Sequence, residues 1–226
     1  MKIGIIGAGN IGSALTHRLT ALGHQVKVAN SRGPETLTEL ATETGATAVP
    51  VLETVPDSEV IVVTIPEKSV PNLPHGLFDE AREDAVVIDT GNYYWQRDGR
   101  IAEIEAGTTE SRWVAQQLGR PVVKAFNNIR SQHLLERGQA AGSPGRIALP
   151  VAGDDDTAKA VVLQLVEELG FDAIDAGTLD ESWRQQPGKP VYTADLDADA
   201  VRRALAQATP ERPPEHRAPS GTPPAA

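Results

Sequence analysis

Gly4-Ile5-Ile6-Gly7-Ala8-Gly9-Asn10-Ile11-Gly12 is the stretch whose reading decides the fold. Residues 2–6 are a short apolar run, and Ile11, Ala14, Leu15, Arg18, Leu19 and Leu22 then share one helical face. The glycines therefore fall where a buried strand turns into a helix, the context that lifts G-x-G-x-x-G above a chance match. Gly7 suits the tight turn, Gly9 lets a pyrophosphate approach the backbone, and Gly12 lets helix and sheet pack closely. The free N–H groups of Asn10, Ile11 and Gly12 at the helix start face an anion. The stretch predicts a bound dinucleotide.

Outward from that point, strand-like runs alternate with helical ones. Residues 25–29, 46–49, 60–64, 85–89, 122–126, 147–152 and 171–175 read as strands, and 155–168 as a helix stopped by Gly170. Pro34 suits the first turn of a helix that Thr44-Gly45 closes. The alternation predicts an α/β fold, a doubly wound, mostly parallel sheet with helices on both faces. One domain is expected over residues 1–208. From residue 209 onward Pro210, Pro213, Pro214, Pro219, Pro223 and Pro224 dominate, and residues 209–226 are expected to be a disordered tail.

The exit of the second strand distinguishes between nicotinamide cofactors. An NAD site carries Asp or Glu there to hold the ribose hydroxyls. Here the segment is Ala29-Asn30-Ser31-Arg32-Gly33, with no acid. A hydroxyl and a guanidinium offer charge-assisted hydrogen bonds to a 2′-phosphate, so Asn30, Ser31 and Arg32 predict NADP(H).

Composition narrows the partner. A chain of 226 residues without cysteine excludes disulfides, thiolate nucleophiles and zinc–thiolate sites, and is compatible with a reducing cytoplasm. A net charge of -10 argues against a nucleic-acid backbone. Neither a signal peptide nor a membrane span is visible, so a cytoplasmic protein acting on small molecules, without nucleic acid or membrane partners, is expected.

Three blocks together resemble one family: the Gly7–Gly12 fingerprint with Asn30-Ser31-Arg32, Val123-Lys124-Ala125-Phe126-Asn127-Asn128, and Val151-Ala152-Gly153-Asp154. It is the NADP oxidoreductase family dependent on the deazaflavin coenzyme F420. The NADPH-binding domain of STEAP-type metalloreductases is similar across the same segments. The resemblance implies a Rossmann domain carrying NADPH at the strand ends, with a second flat ring, F420 or FMN, stacked against the nicotinamide, and commonly a homodimer. Two stretches depart from the pattern, 92–107 and 182–192.

Only about thirty residues separate the last expected strand from the proline-rich stretch, far fewer than a typical domain. The second substrate is therefore expected on the nucleotide-binding domain itself, helped by the two departing stretches or a second subunit. Hydride transfer between two ring cofactors is carried by the rings, so no catalytic acid–base side chain and no metal is expected. Thr64-Ile65-Pro66 ends the fourth strand near the topological switch and is expected against the nicotinamide ribose. The Asn127 amide is a candidate for the carboxamide or ribose. Tyr93, Tyr94 and Trp95 fit a ring-stacking lid and a packing anchor equally well, in a chain only 4% aromatic. Arg97, Arg100, Arg112 and Arg130 are expected at the surface, and Asp154-Asp155-Asp156 as a helix cap.

Two alternatives stay open. One is an NADP-dependent reductase of a small carbonyl or imine, assisted by His133 or Lys124. Against it, His133 reads as an ordinary helical polar residue, and Lys124 as a buried stem whose amine escapes to an edge. The other is a non-catalytic NADPH sensor.

Overall fold

The apolar run at the amino terminus forms β1 (Lys2–Ile6), and the computed structural model describes residues 1–224. In chain order there follow α1 (Asn10–Ala21), β2 (Gln25–Ala29), α2 (Thr38–Thr44), β3 (Thr47–Ala48), β4 (Val60–Val63) and β5 (Val86–Asp89). After them come α3 (Trp95–Asp98), α4 (Ala102–Glu105), α5 (Glu110–Leu118), β6 (Val123–Lys124) and α6 (Ser131–Glu136). The chain continues through β7 (Ala148–Val151), α7 (Asp156–Glu168), β8 (Asp172–Asp175) and α8 (Ala198–Gln207).

Six strands make one parallel sheet in the order β3-β2-β1-β4-β5-β6. Strands β4 and β5 are buried at every position, as a parallel sheet covered on both faces requires. Successive side chains point to opposite sides. Ile3, Ile5, Val60 and Val62 thus join Leu15, Leu19, Leu134, Val162 and Leu165 from α1, α6 and α7 in one core. Ile6, Ile61, Val63 and Val87 join Val55, Leu77 and Leu179 in the other. The order reverses between β1 and β4, paired in register from Ile3↔Val60 to Ile6↔Val63, and a crevice opens above their carboxyl ends.

The sheet departs from the expected single array at its far end. Strands β7 and β8 form a separate parallel pair, joined to β6 only by one antiparallel bridge, Lys124↔Ala152. β6 spans only two residues, and Pro150 inside β7 has no N–H to give, which leaves little ladder to build. α8 covers this pair through Val201, Ala204 and Leu205.

Residues 209–224 are not loose in the structure, in contrast to the disorder expected from their prolines; residues 225–226 of that expected tail lie outside the described residues. The buried Lys189 ammonium donates to the carbonyls of Thr209 (2.5 Å) and Glu211 (2.7 Å). Arg212 Nη2 stands 2.9 Å from the carboxylate of Glu110, which is wholly buried. Trp95 Nε1 donates to Glu215 O, and Arg100 N to Pro223 O. Proline stiffness, read as disorder, here fits a strap that surrenders little chain entropy on docking. Among the described residues no helix is long and apolar enough to cross a membrane.

Candidate functional site

The turn from β1 into α1 is shaped by two contacts that admit no side chain. Gly7 has φ +112°, and a Cβ on it would collide with the carbonyl oxygen of Thr64. A Cβ on Gly12 would collide with the carbonyl oxygen of Gly7. Gly9 differs: its φ is −77°, and a Cβ on it would meet no atom within 4 Å. The protein itself therefore does not require glycine there. Directly beyond Gly9, α1 begins with no side-chain cap, so its first-turn N–H groups and the positive end of its dipole are left for an anion.

A cleft of about 730 Å³ opens over this turn. Of the expected residues, Gly7, Ala8, Gly9, Asn30, Ser31, Arg32, Thr64, Ile65 and Pro66 all line it. Asn10, Ile11 and Gly12 form the first turn of α1 beside it. The opposite wall, from Pro50-Val51 and Ser69 to Pro74, was not foreseen; its only sequence signal is the prolines that break the chain after β3 and β4.

At the exit of β2, Asn30 shapes the loop. Its Oδ1 accepts from Arg32 N at 2.9 Å and its Nδ2 donates to Thr36 Oγ1 at 2.9 Å. Ser31 and Arg32 are left exposed, and no carboxylate among the described residues lies within 4.0 Å of the Arg32 guanidinium. An open backbone at Gly9, an uncapped helix start and a free guanidinium on one cleft fit NADP(H). The α1 N–H groups would hold its pyrophosphate, and Ser31 with Arg32 its 2′-phosphate.

Beneath the inner end of the cleft lies a layer of buried charge that the sequence did not reveal. Lys124 does not send its amine to an edge: it is wholly buried, 3.0 Å from Asp89 Oδ2, and also donates to Gly91 O. The reason is the neighbouring strand, whose Asp89 supplies a counter-charge that Ser111 Oγ also meets, at 2.7 Å. Glu67, just after Pro66, is likewise wholly buried, with Arg97 Nη2 at 2.8 Å and its Oε1 without a partner. Burial, and then the nearby Glu110, pushes the Glu67 carboxyl well above the usual carboxylate range; burial also raises Glu110, against the pull of Arg212 and Lys124.

Other candidates resolve individually. Asn127 does not reach the cleft: its Nδ2 donates to Gln185 O (2.7 Å) and Asn92 Oδ1 (3.0 Å), and its Oδ1 accepts from Gln185 Nε2 (2.9 Å). With both N–H groups given and its oxygen engaged, the amide ties three loops together and has no donor left for a cofactor. His133 Nδ1 lies 2.6 Å from Asp195 Oδ2, an ordinary polar contact on α6. Tyr93 is a packing anchor, buried with Ile101, Ile104 and Trp113, its hydroxyl donating to Gly99 O or Glu105 Oε1. The Tyr94 hydroxyl meets that of Tyr192, so the two departing stretches touch. Arg97 and Arg112 are held in ion pairs, Arg112 by Asp154 and Asp180. Within Asp154-Asp155-Asp156 the cap is Asp155, which accepts from the N–H groups of Thr157 and Ala158.

Known proteins match this chain. A family model described as NADP oxidoreductase, coenzyme F420-dependent, fits residues 2–93. The family resemblance holds over that stretch, which carries the glycine fingerprint and Asn30-Ser31-Arg32. Over 64 residues, 28% of this chain, the sequence is 47% identical to protein YjhV of Escherichia coli (strain K12), and that match spans 47% of the curated relative, about half its length. The crystal structure of a hypothetical protein, SMa0349, from Sinorhizobium meliloti is 29% identical with a TM-score of 0.73, over 88% of this chain and 96% of that one. A protein of Arthrobacter sp. FB24, provisionally described as an F420-dependent NADP-reductase, is 22% identical with a TM-score of 0.63, over 81% and 87%; at that identity the likeness is one of fold.

Proposed function

We propose that this chain is an NADP-dependent oxidoreductase that passes a hydride between NADP(H) and a flat redox ring, a deazaflavin (coenzyme F420) or a flavin-type coenzyme. The observation that carries the reading is the open face at Gly9, set between the uncapped start of α1 and the exposed Ser31-Arg32 pair. When bound, NADPH supplies two electrons as a hydride, which an oxidised ring accepts. The chain's own share is placement. The α1 N–H groups hold the diphosphate, and Arg32 and Ser31 fix the adenosine end. The half-buried Thr64-Ile65-Pro66 exit lines the inner end of the cleft, where Ile65 offers an apolar surface to one face of a ring. Aligned, close placement supplies most of the acceleration that such a transfer needs.

Ring-to-ring transfer is favoured over acid-assisted reduction because neither Lys124 nor His133 lines the cleft. Reduction of a small carbonyl or imine is the second reading. The paired phenols of Tyr94 and Tyr192, where the two departing stretches meet, are the observation that favours it, as hydroxyl donors.

Stopped-flow mixing of the NADPH-loaded protein with F420, FMN, and a panel of carbonyls and imines separates these. Rapid loss of reduced-nicotinamide absorbance with F420 or FMN is the expected result. Turnover confined to carbonyls or imines would transfer the assignment to the second reading. No oxidation by any acceptor would contradict both and favour an NADPH sensor.

A further inference from the structure

A second cavity, of about 720 Å³, lies between the α4–α5 connection, the turn Leu179–Gln185 and the docked segment around Pro210–Arg217. It shares no lining residue with the nucleotide cleft. We propose that this cavity binds a small molecule through a phosphate or carboxylate group, with Lys189, Arg212 and Arg217 as its cationic wall and Gln186 as an amide donor.

The argument is one of unmatched charge. Lys189 is only 8% exposed, yet its ammonium is met by two neutral carbonyls and lies within 4.0 Å of no carboxylate among the described residues. The Trp183 ring, 5.3 Å from its Nζ, supplies only a weak substitute. Arg217 spends Nε on Arg212 O and has no ion pair among the described residues. Arg212 gives Nη2 to Glu110 but its Nη1 is buried without an acceptor, as is Gln186 Nε2 in the same wall. The acidic residues around the cavity do not cancel this. Asp180 is held by Arg112 at 2.7 Å, and Glu105 accepts from the Tyr93 hydroxyl and from Ala218 N. Glu211 is exposed and pairs with neither Lys189 nor Arg217 within 4.0 Å; those cations only add to the lowering of its carboxyl that its own backbone and Thr209 begin.

A buried cation without a counter-ion is costly, and an entering anion relieves that cost. Burial, and then the nearby Arg212, hold the Lys189 ammonium below its ordinary range. The volume falls in the range of small-molecule sites and exceeds what a lone ion fills, so the anionic group is one end of a larger ligand.

Calorimetry on the full chain tests this with inorganic phosphate and succinate as probes. NADPH is present at saturation, so that the cleft's own phosphate site is filled. The same titrations in an Arg32→Ala background keep the result independent of the cofactor reading. The expected result is heat from at least one probe, reduced at least fivefold in affinity by Arg217→Ala and by Lys189→Met, with NADPH affinity unchanged. Arg217 is exposed, so its variant keeps the test open if Lys189→Met loosens the fold. Phosphate alone binding assigns a phosphoryl ligand, and succinate alone a carboxylate. No heat from either probe, or binding untouched by Arg217→Ala, overturns the proposal.

Discussion

Arg32 and Lys124 show how differently one positive charge is used in this molecule. Arg32 stands exposed at the lip of the cleft with no carboxylate partner among the described residues, whereas Lys124 is sealed against Asp89. Replacing Arg32 by Ala removes charge-assisted bonds to a 2′-phosphate, a loss of about 1.5–3 kcal/mol, or roughly tenfold to a hundredfold in affinity. Fluorescence titration should show that loss for NADPH and almost none for NADH; equal losses would mean Arg32 reads no phosphate. Lys124→Met is a stability variant on this account, leaving Asp89 buried without its counter-charge. Denaturant unfolding should register a loss of about 3–5 kcal/mol, and an unchanged midpoint would contradict the buried pair. The role proposed for Arg32 is legible in the sequence because the missing acid after β2 is a local signal. It hid the Lys124 role, because the partner comes from a neighbouring strand thirty-five residues away.

At the scale of elements, all eight strands were read within a few residues, because each is a short apolar run bounded by turn residues. Helix α7 was equally legible from its cap and its stop. Asp155→Ala should cost about 1 kcal/mol in thermal or urea unfolding, while Asp156→Ala costs little, since only Asp155 caps the backbone. What local pattern does not carry is how elements associate. Nothing in residues 147–175 says that β7 and β8 pair apart from the main sheet. Nothing in six prolines says that Arg212 reaches a buried carboxylate. That docking predicts a measurable cost: Arg212→Ala strands Glu110 and should lower stability by about 3 kcal/mol. An undocked tail would leave stability unchanged and would be clipped at once by proteases.

Over the whole molecule, the charged layer under the cleft joins strands, loops and tail into one unit. It sets four carboxyl groups (Glu67, Asp89, Asp98, Glu110) against three cations (Arg97, Lys124, Arg212), an excess of one negative charge. Glu67 bears most of that excess: it is wholly buried, one oxygen lacks a partner, and burial followed by Glu110 pushes it well above the carboxylate range. The folded protein then holds a proton that the unfolded chain releases. This contribution is present at low pH and is lost as pH rises from the ordinary carboxylate range through the raised value. Urea unfolding between about pH 5 and about pH 8 should therefore show a smaller decline for Glu67→Gln than for the parent protein, and identical slopes would refute the assignment.

All of this frames a cleft whose purpose rests on one glycine that the fold itself does not need. Titrating NADPH into the parent protein and into Gly9→Ala, with thermal unfolding of both, puts that to the test. The account predicts clear binding by the parent, a loss of at least tenfold in the variant, and melting temperatures that coincide, because no atom beyond the adjoining residues lies within 4 Å of the added methyl. No heat of NADPH binding in the parent, or equal affinity in the variant, would contradict it.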